Sequence, residues 1–228
     1  MKSKFLPFEI LFEDRDLIVI DKPAGLLSTH THLVGRAARE SQATAENLLN
    51  AYVRKGQAKS TKCVYLVHRL DRETSGVMAF AKSARLAEAL RENWNALTEK
   101  IYIARVEGIL KEASGAFTSY LKDDPKTYRV SSVRADVKGA KKATTLWRRI
   151  RVIGDATEVE VSLKSGRKNQ IRVHFSEAGH PVVGDVKYGA KKADRLYLRA
   201  VSLKLKNPLT GREGTFAVSD FHQNEQEK

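Results

Sequence analysis

The chain has 228 residues, 42% hydrophobic and 30% charged, which fits a soluble globular protein with enough length for a real core. Its 41 Lys and Arg outnumber 27 Asp and Glu to leave +14 at neutral pH, so a polyanion is the expected partner and nucleic acid the first choice. No apolar stretch nears the roughly 18 residues that span a bilayer, no secretory leader pattern opens the chain, and no basic amphipathic helix favours a membrane surface.

In chain order, 8–21 reads as two short strands around the polar turn Glu13-Asp14-Arg15-Asp16. Lys22-Pro23-Ala24-Gly25 ends the second strand, because proline cannot continue a ladder. Residues 28–43 lack periodicity and read as a surface loop. A helix follows from about Thr44, with Leu48, Leu49 and Tyr52 on one face. Val64–Val67 and Val77–Ala81 are short apolar runs of buried-strand type, and Ser83 is an N-cap for a helix striped by Leu86, Leu90 and Trp94. Lys100–Val106 alternates as a strand does, and so do 115–121, 144–152 and 157–163. Lys138–Lys142 is a basic hairpin tip. A last helix starts near Asn169, with Ile171, Phe175 and Ala178 inward and Gly179 just past its end. Strands over 196–205 and 214–218 are joined through Asn207–Gly211, and a polar tail runs from His222. Short strands with few helices and no dividing linker predict one α+β domain over 1–228, core about 8–218, on a mixed, mostly antiparallel sheet with flanking helices.

Two segments carry the chemistry. His68-Arg69-Leu70-Asp71-Arg72-Glu73-Thr74-Ser75-Gly76 sets a carboxylate among guanidiniums. Opposite charge nearby favours the ionised carboxyl, which makes Asp71 a poor general acid and a serviceable nucleophile. Taken alone, such an Asp reads first as a structural ion pair at a strand end. In Ser165-Gly-Arg-Lys-Asn-Gln-Ile-Arg-Val-His174, Gly166 permits a tight turn and Arg167 and Arg172 can edge one cleft. A basic helix start on the surface is the competing reading. His30 and His32 have no Cys or acidic partner at ligand spacing, so no metal is expected. The single cysteine, Cys63, excludes an intramolecular disulfide, points to a reducing cytosol and reads as a core residue. No phosphate-binding glycine loop or dinucleotide fingerprint appears, and a reaction without a cofactor is expected.

Together these segments resemble the RluA-type pseudouridine synthases. The family's stretches occur in order: Asp21-Lys-Pro-Ala-Gly-Leu26, His68–Gly76, Lys100-Ile-Tyr-Ile-Ala-Arg-Val-Glu-Gly108, then Gly166–His174 with Gly179-His-Pro-Val-Val-Gly-Asp185. The resemblance spans about residues 8–218. It implies a pseudouridine-synthase-like catalytic domain with a central RNA-binding cleft, with Asp71 as the catalytic aspartate. It further implies that Arg69 enters the RNA stack as the target turns out, and that Tyr102 stacks on the flipped uracil. Arg172 is then the arginine that pairs with the catalytic carboxylate, Arg167 being a neighbouring competitor. His68, Arg167 and Lys168 join Arg69 as expected RNA contacts.

The implied activity is isomerisation of uridine in ribosomal or transfer RNA by base flipping, in a cytoplasmic monomer. Departures mark a subgroup: Lys168-Asn169 replaces Thr or Ser followed by His, Arg199 replaces a common His, and Asn207-Pro208 a common His-Pro. Because the catalytic strands begin by residue 8, the small RNA-binding module that often precedes this domain is not expected. Arg36–Arg39 and Lys138–Lys142 are then candidates for target selection. The alternative is a non-catalytic RNA-binding or ribosome-assembly protein that keeps the fold. A glycoside hydrolase using Asp71 and Glu73 is disfavoured, since adjacent arginines oppose the raised pKa that an acid needs.

Overall fold

The computed structural model describes residues 6–30, 42–55, 57 and 59–220. Its contacts fall into two compact units, residues 1–98 with 202–219 and residues 99–201 with 220–228.

The first unit is built on β1 (Glu9–Glu13), β2 (Leu17–Lys22), β3 (Tyr65–Leu66) and β4 (Ser75–Ala81). To these it adds Ser202–Lys206 of β10 (Leu198–Lys206) and the antiparallel β11 (Glu213–Ala217). Strands β1, β2 and β4 run antiparallel, with Val19 opposite Ala79 and Lys22 opposite Gly76. Alternation sends Leu17, Val19, Val77, Ala79 and Ala81 into one cluster with Leu86, Ala87 and Leu90 of helix α2 (Ala84–Leu97). Ile18, Ile20, Met78 and Phe80 lie on the other face and are also fully buried. That double burial explains why the sequence here is a run of apolar residues rather than an alternation. Ser83 caps α2 as expected, its hydroxyl accepting from the Leu86 N–H at 3.3 Å. Helix α1 (Ala45–Arg54) is capped by Thr44, which accepts from the Asn47 N–H at 3.1 Å. The apolar run Val64–Val67 pairs only over β3, because the Val64 N–H is given to the Asn50 side chain at 2.8 Å.

The second unit follows β5 (Thr98–Glu107), β9 (Ala156–Leu163), β8 (Lys141–Ile153), β6 (Ser114–Asp123) and β7 (Val130–Val133), each antiparallel to its neighbour. Strand β7 was not legible in the sequence. Its Val130 packs with Leu121, Ala143, Val173 and Tyr188 beneath helix α3 (Gln170–Glu177). Phe117 meets Phe175 edge-on at 5.2 Å between ring centres, and Trp147 lies over Gly115, where a Cβ would come within 2.7 Å of the indole. Among the described residues the fold is α+β with three α-helices, as expected. Helix α3 is capped by Ala178 with Gly179 beyond it at φ +82°, as read from the sequence, although Ala178 itself is exposed rather than inward. His32, Arg36–Arg39 and the tail from His222 lie outside the described residues.

Candidate functional site

In the first unit the His68–Gly76 segment crosses from β3 to β4 and is held mainly through its backbone. Ser28, buried beneath it, both donates to the Leu70 carbonyl at 2.7 Å and accepts from the Leu70 N–H at 3.2 Å. The Asp71 carbonyl accepts from the Thr74 N–H at 3.1 Å, closing a turn around the acid. The Arg72 carbonyl accepts from the Gly25 N–H at 2.9 Å, and the Arg72 Nε donates back to the Gly25 carbonyl at 3.0 Å.

Lys22 completes this anchoring. Fully buried, its ammonium donates to the carbonyls of Pro23 at 2.8 Å, Leu26 at 2.7 Å and Arg72 at 3.1 Å. Burial lowers its pKa to about 8, while the negative charges of Glu73, Asp71 and Asp21 act in the opposite direction. Nothing in the sequence beyond a lysine closing an apolar strand signalled this role.

The expected embrace of Asp71 by its two sequence neighbours does not form. Arg69 is exposed and has no side-chain partner among the described residues. Arg72 turns instead to Gly25 and, at 3.6 Å, to exposed Glu73. His68 is half-buried: its Nε2 accepts from the Ala79 N–H at 3.0 Å, and the ring stacks on Trp94 at 4.5 Å. Cys63 is partly exposed rather than a core residue, since it precedes β3 instead of lying in it.

In the second unit Tyr102 is buried on β5 opposite Val161. Lys100, two residues earlier and so on the same side of the strand, is buried as well, and burial lowers its pKa to about 8. Arg172, on α3, grips Asp185 with two parallel bonds, Nε to Oδ2 at 2.6 Å and Nη2 to Oδ1 at 2.8 Å. Both side chains are buried, 9% and 1% exposed, and the Arg172 guanidinium lies 5.1 Å over the Tyr188 ring. A bidentate pair in a dry setting fixes the plane of the guanidinium. Asp185 follows Gly184, whose φ is +82° and where a Cβ would stand 1.9 Å from the Arg195 carbonyl oxygen. Only glycine fits there.

Helix α3 is tied to the sheet by a polar chain. Gln170 accepts from the Ser165 hydroxyl at 2.8 Å and the Arg167 N–H at 3.0 Å, and donates to the Thr144 carbonyl at 3.0 Å and Thr145 Oγ1 at 2.9 Å. His174 bonds Thr145 through Nδ1 at 2.8 Å and Ser119 through Nε2 at 3.0 Å. Burial pushes the His174 imidazole pKa down, against an opposing pull from Glu177. Of the remaining expected RNA contacts, Arg167 is exposed and donates through Nε to the Lys142 carbonyl at 3.1 Å. Lys168 pairs with Asp123 at 2.6 Å. His68, Arg69 and Asp71 therefore share one unit, and Tyr102, Arg167, Lys168 and Arg172 the other.

A family model described as RNA pseudouridylate synthase matches residues 16–177. The chain is 35% identical over 213 residues to a Bacillus subtilis protein described as an uncharacterized RNA pseudouridine synthase, YhcT, covering 89% of this chain and 65% of that one. It is 32% identical over 232 residues to the ribosomal large subunit pseudouridine synthase C of Haemophilus influenzae, covering 97% and 68%. To the dual-specificity RNA pseudouridine synthase RluA of Vibrio vulnificus it is 30% identical over 242 residues, covering 96% and 86%. Against an Aquifex aeolicus relative the match covers only 60% of that protein's length. The solved structure of human RNA Pseudouridylate Synthase Domain Containing 4 shares the fold, with a TM-score of 0.72 at 23% identity, covering 94% of this chain and 89% of that one. The chain belongs to the RNA pseudouridylate synthase family, and its relatives place it with the RluA type.

Proposed function

We propose that this protein is an RNA pseudouridine synthase acting on uridine in ribosomal RNA, transfer RNA or both. The observation that carries this is the presence of Asp71, in the family's own motif, on a segment whose backbone is anchored by Ser28 and Lys22. In this reading the target nucleotide is first turned out of the RNA, at a cost of a few kcal/mol of stacking and pairing. Arg69, exposed and without a partner among the described residues, fills the vacated stack, and Tyr102 stacks on the extruded base.

The Asp71 carboxylate acts at the ribose. The glycosidic bond to nitrogen breaks, the uracil turns, carbon 5 bonds to the anomeric carbon, the proton of carbon 5 passes to solvent, and the freed ring nitrogen takes up a proton in its place. Bonds broken and formed balance without electron transfer, so the sequence's lack of a cofactor motif accords with the chemistry. Arg172 serves as the third catalytic residue, its orientation set by Asp185. Arg167 and Lys168 contact RNA phosphates, while His68, engaged by Ala79 and Trp94, is assigned to holding the loop. The protein works as a cytoplasmic monomer.

Incubation with RNA tritiated at uracil carbon 5 should release tritium to water, and Asp71→Asn should abolish release while leaving thermal unfolding unchanged. Absence of release from total RNA of a strain lacking the gene would overturn the assignment. Carbodiimide-blocked reverse transcription of RNA from deletion and parent strains identifies the uridine. Full rescue of a deletion phenotype by Asp71→Asn would favour a non-catalytic RNA-binding role instead.

A further inference from the structure

A cavity of about 570 Å³ opens in the first unit, away from the Asp71 segment. Its walls are the β1–β2 turn, the C-terminal end of α1, the segment before β3 and the residue after β4. Four cations line it: Arg15, Lys55, Lys62 and Lys82, against one carboxylate, Glu13. Glu13 is already engaged, accepting from Lys82 Nζ at 2.9 Å and from the Tyr52 hydroxyl at 3.0 Å. Arg15, Lys55 and Lys62 have no carboxylate partner among the described residues.

Three unpaired cations around one concavity repel one another and concentrate positive potential there, which is stabilised when an anion enters. The volume falls within the roughly 300–1,000 Å³ of ligand sites. Tyr52 and Val53 supply apolar wall for a ribose or base beside the charged groups. Position adds a further constraint. The Asp71 segment leads into Ser75 at one end of β4, and Lys82 stands just past the other end. At about 3.3 Å per residue the two are roughly 20 Å apart along the strand.

We propose that this cavity is a second RNA contact, taking a backbone phosphate several nucleotides away from the target uridine. The inference rests on the reading that the substrate is RNA. It assigns to the far end of β4 a share of the affinity that the catalytic segment does not supply.

The test is fluorescence anisotropy of a labelled single-stranded RNA oligonucleotide over a range of KCl concentrations. The variant combines Arg15→Ala, Lys55→Ala and Lys62→Ala, all exposed positions outside the proposed catalytic machinery. Loss of one phosphate contact lowers the slope of log affinity against log salt by about 0.7 on single strands, and the triple variant should show that loss. A control with Lys111→Ala, Lys164→Ala and Lys191→Ala removes the same charge elsewhere and should lose clearly less. Equal losses in both variants, or an unchanged slope in the first, would overturn the proposal. So would a triple variant whose only defect is a lost thermal shift on adding inorganic phosphate, which would mark a small-anion site. Tritium release by the first variant should keep its kcat and show a raised KM. If the wild-type protein releases no tritium yet the two variants differ in salt slope, the catalytic reading fails and the RNA contact stands.

Discussion

The Asp71 and Arg172 segments place their functional side chains by opposite means. Around Asp71 the backbone is pinned, by Ser28 on Leu70 and by Lys22 and Gly25 on Arg72, while Arg69 extends without a partner among the described residues. Around Arg172 the side chains themselves are locked, by Asp185 and by the Gln170 and His174 bonds to the sheet. The first arrangement suits a residue that must meet a nucleotide arriving from outside. The second suits a cation whose direction has to be fixed in advance.

The sharpest way to break that contrast is at the locked end. Asp185→Ala takes the bidentate partner from the buried Arg172 guanidinium and should lower the unfolding free energy by about 3–5 kcal/mol in urea titrations. The double replacement Arg172→Met with Asp185→Leu should recover most of that stability and none of the tritium release. Recovery of release as well would reduce Arg172 to a structural residue.

At the pinned end, Ser28→Ala removes two hydrogen bonds from the Leu70 backbone and should cost about 1–3 kcal/mol. Turnover, measured where the variant is fully folded, should fall too. An unchanged kcat would mean that Leu70 is held without Ser28.

His174 gives a pH-dependent form of the comparison. Burial holds its folded pKa below the ordinary 6.5, so the unfolded chain takes up a proton first on acidification. The stability it contributes is present above pH 6.5 and is lost as pH falls through the folded value. His174→Gln should flatten that part of a stability profile followed by thermal unfolding; an identical acid limb would assign the loss to other groups.

Arg69→Ala should have the smallest effect on stability, within about 0.5 kcal/mol, because the exposed side chain has no partner among the described residues. Its effect should be a raised KM for RNA, and an unaltered KM would remove Arg69 from the binding surface.

Legibility in the sequence followed the range of each interaction. The Ser83 cap, the Leu86–Leu90 stripe and the end of α3 at Gly179 depend on residues a turn apart, and all were readable. Asp71 was conspicuous through its motif, yet its expected pairing with Arg69 and Arg72 was not found. The residues that anchor the two segments were missed for a common reason. Lys22 meets the Arg72 carbonyl across 50 positions, Ser28 meets Leu70 across 42, and Asp185 reaches Arg172 across 13. No periodicity records such partners, and a lone buried lysine or an aspartate in a glycine-rich loop gives little hint. Strand β7 was hidden because its four residues are too few for an alternation to register, and its Val130 N–H is met by the Tyr188 hydroxyl, 58 residues downstream.

Lys22 occupies the place that a bound metal ion fills in other loops, a buried cation on which three carbonyls converge. No chelator can remove it, but mild alkali can change it, since its pKa is about 8. As pH rises from there toward the ordinary 10.5, the cost of burying the charge is relieved and fold stability increases. The same deprotonation leaves an amine with two N–H groups for three carbonyls, so the Asp71 segment loses a tether just as the fold gains stability.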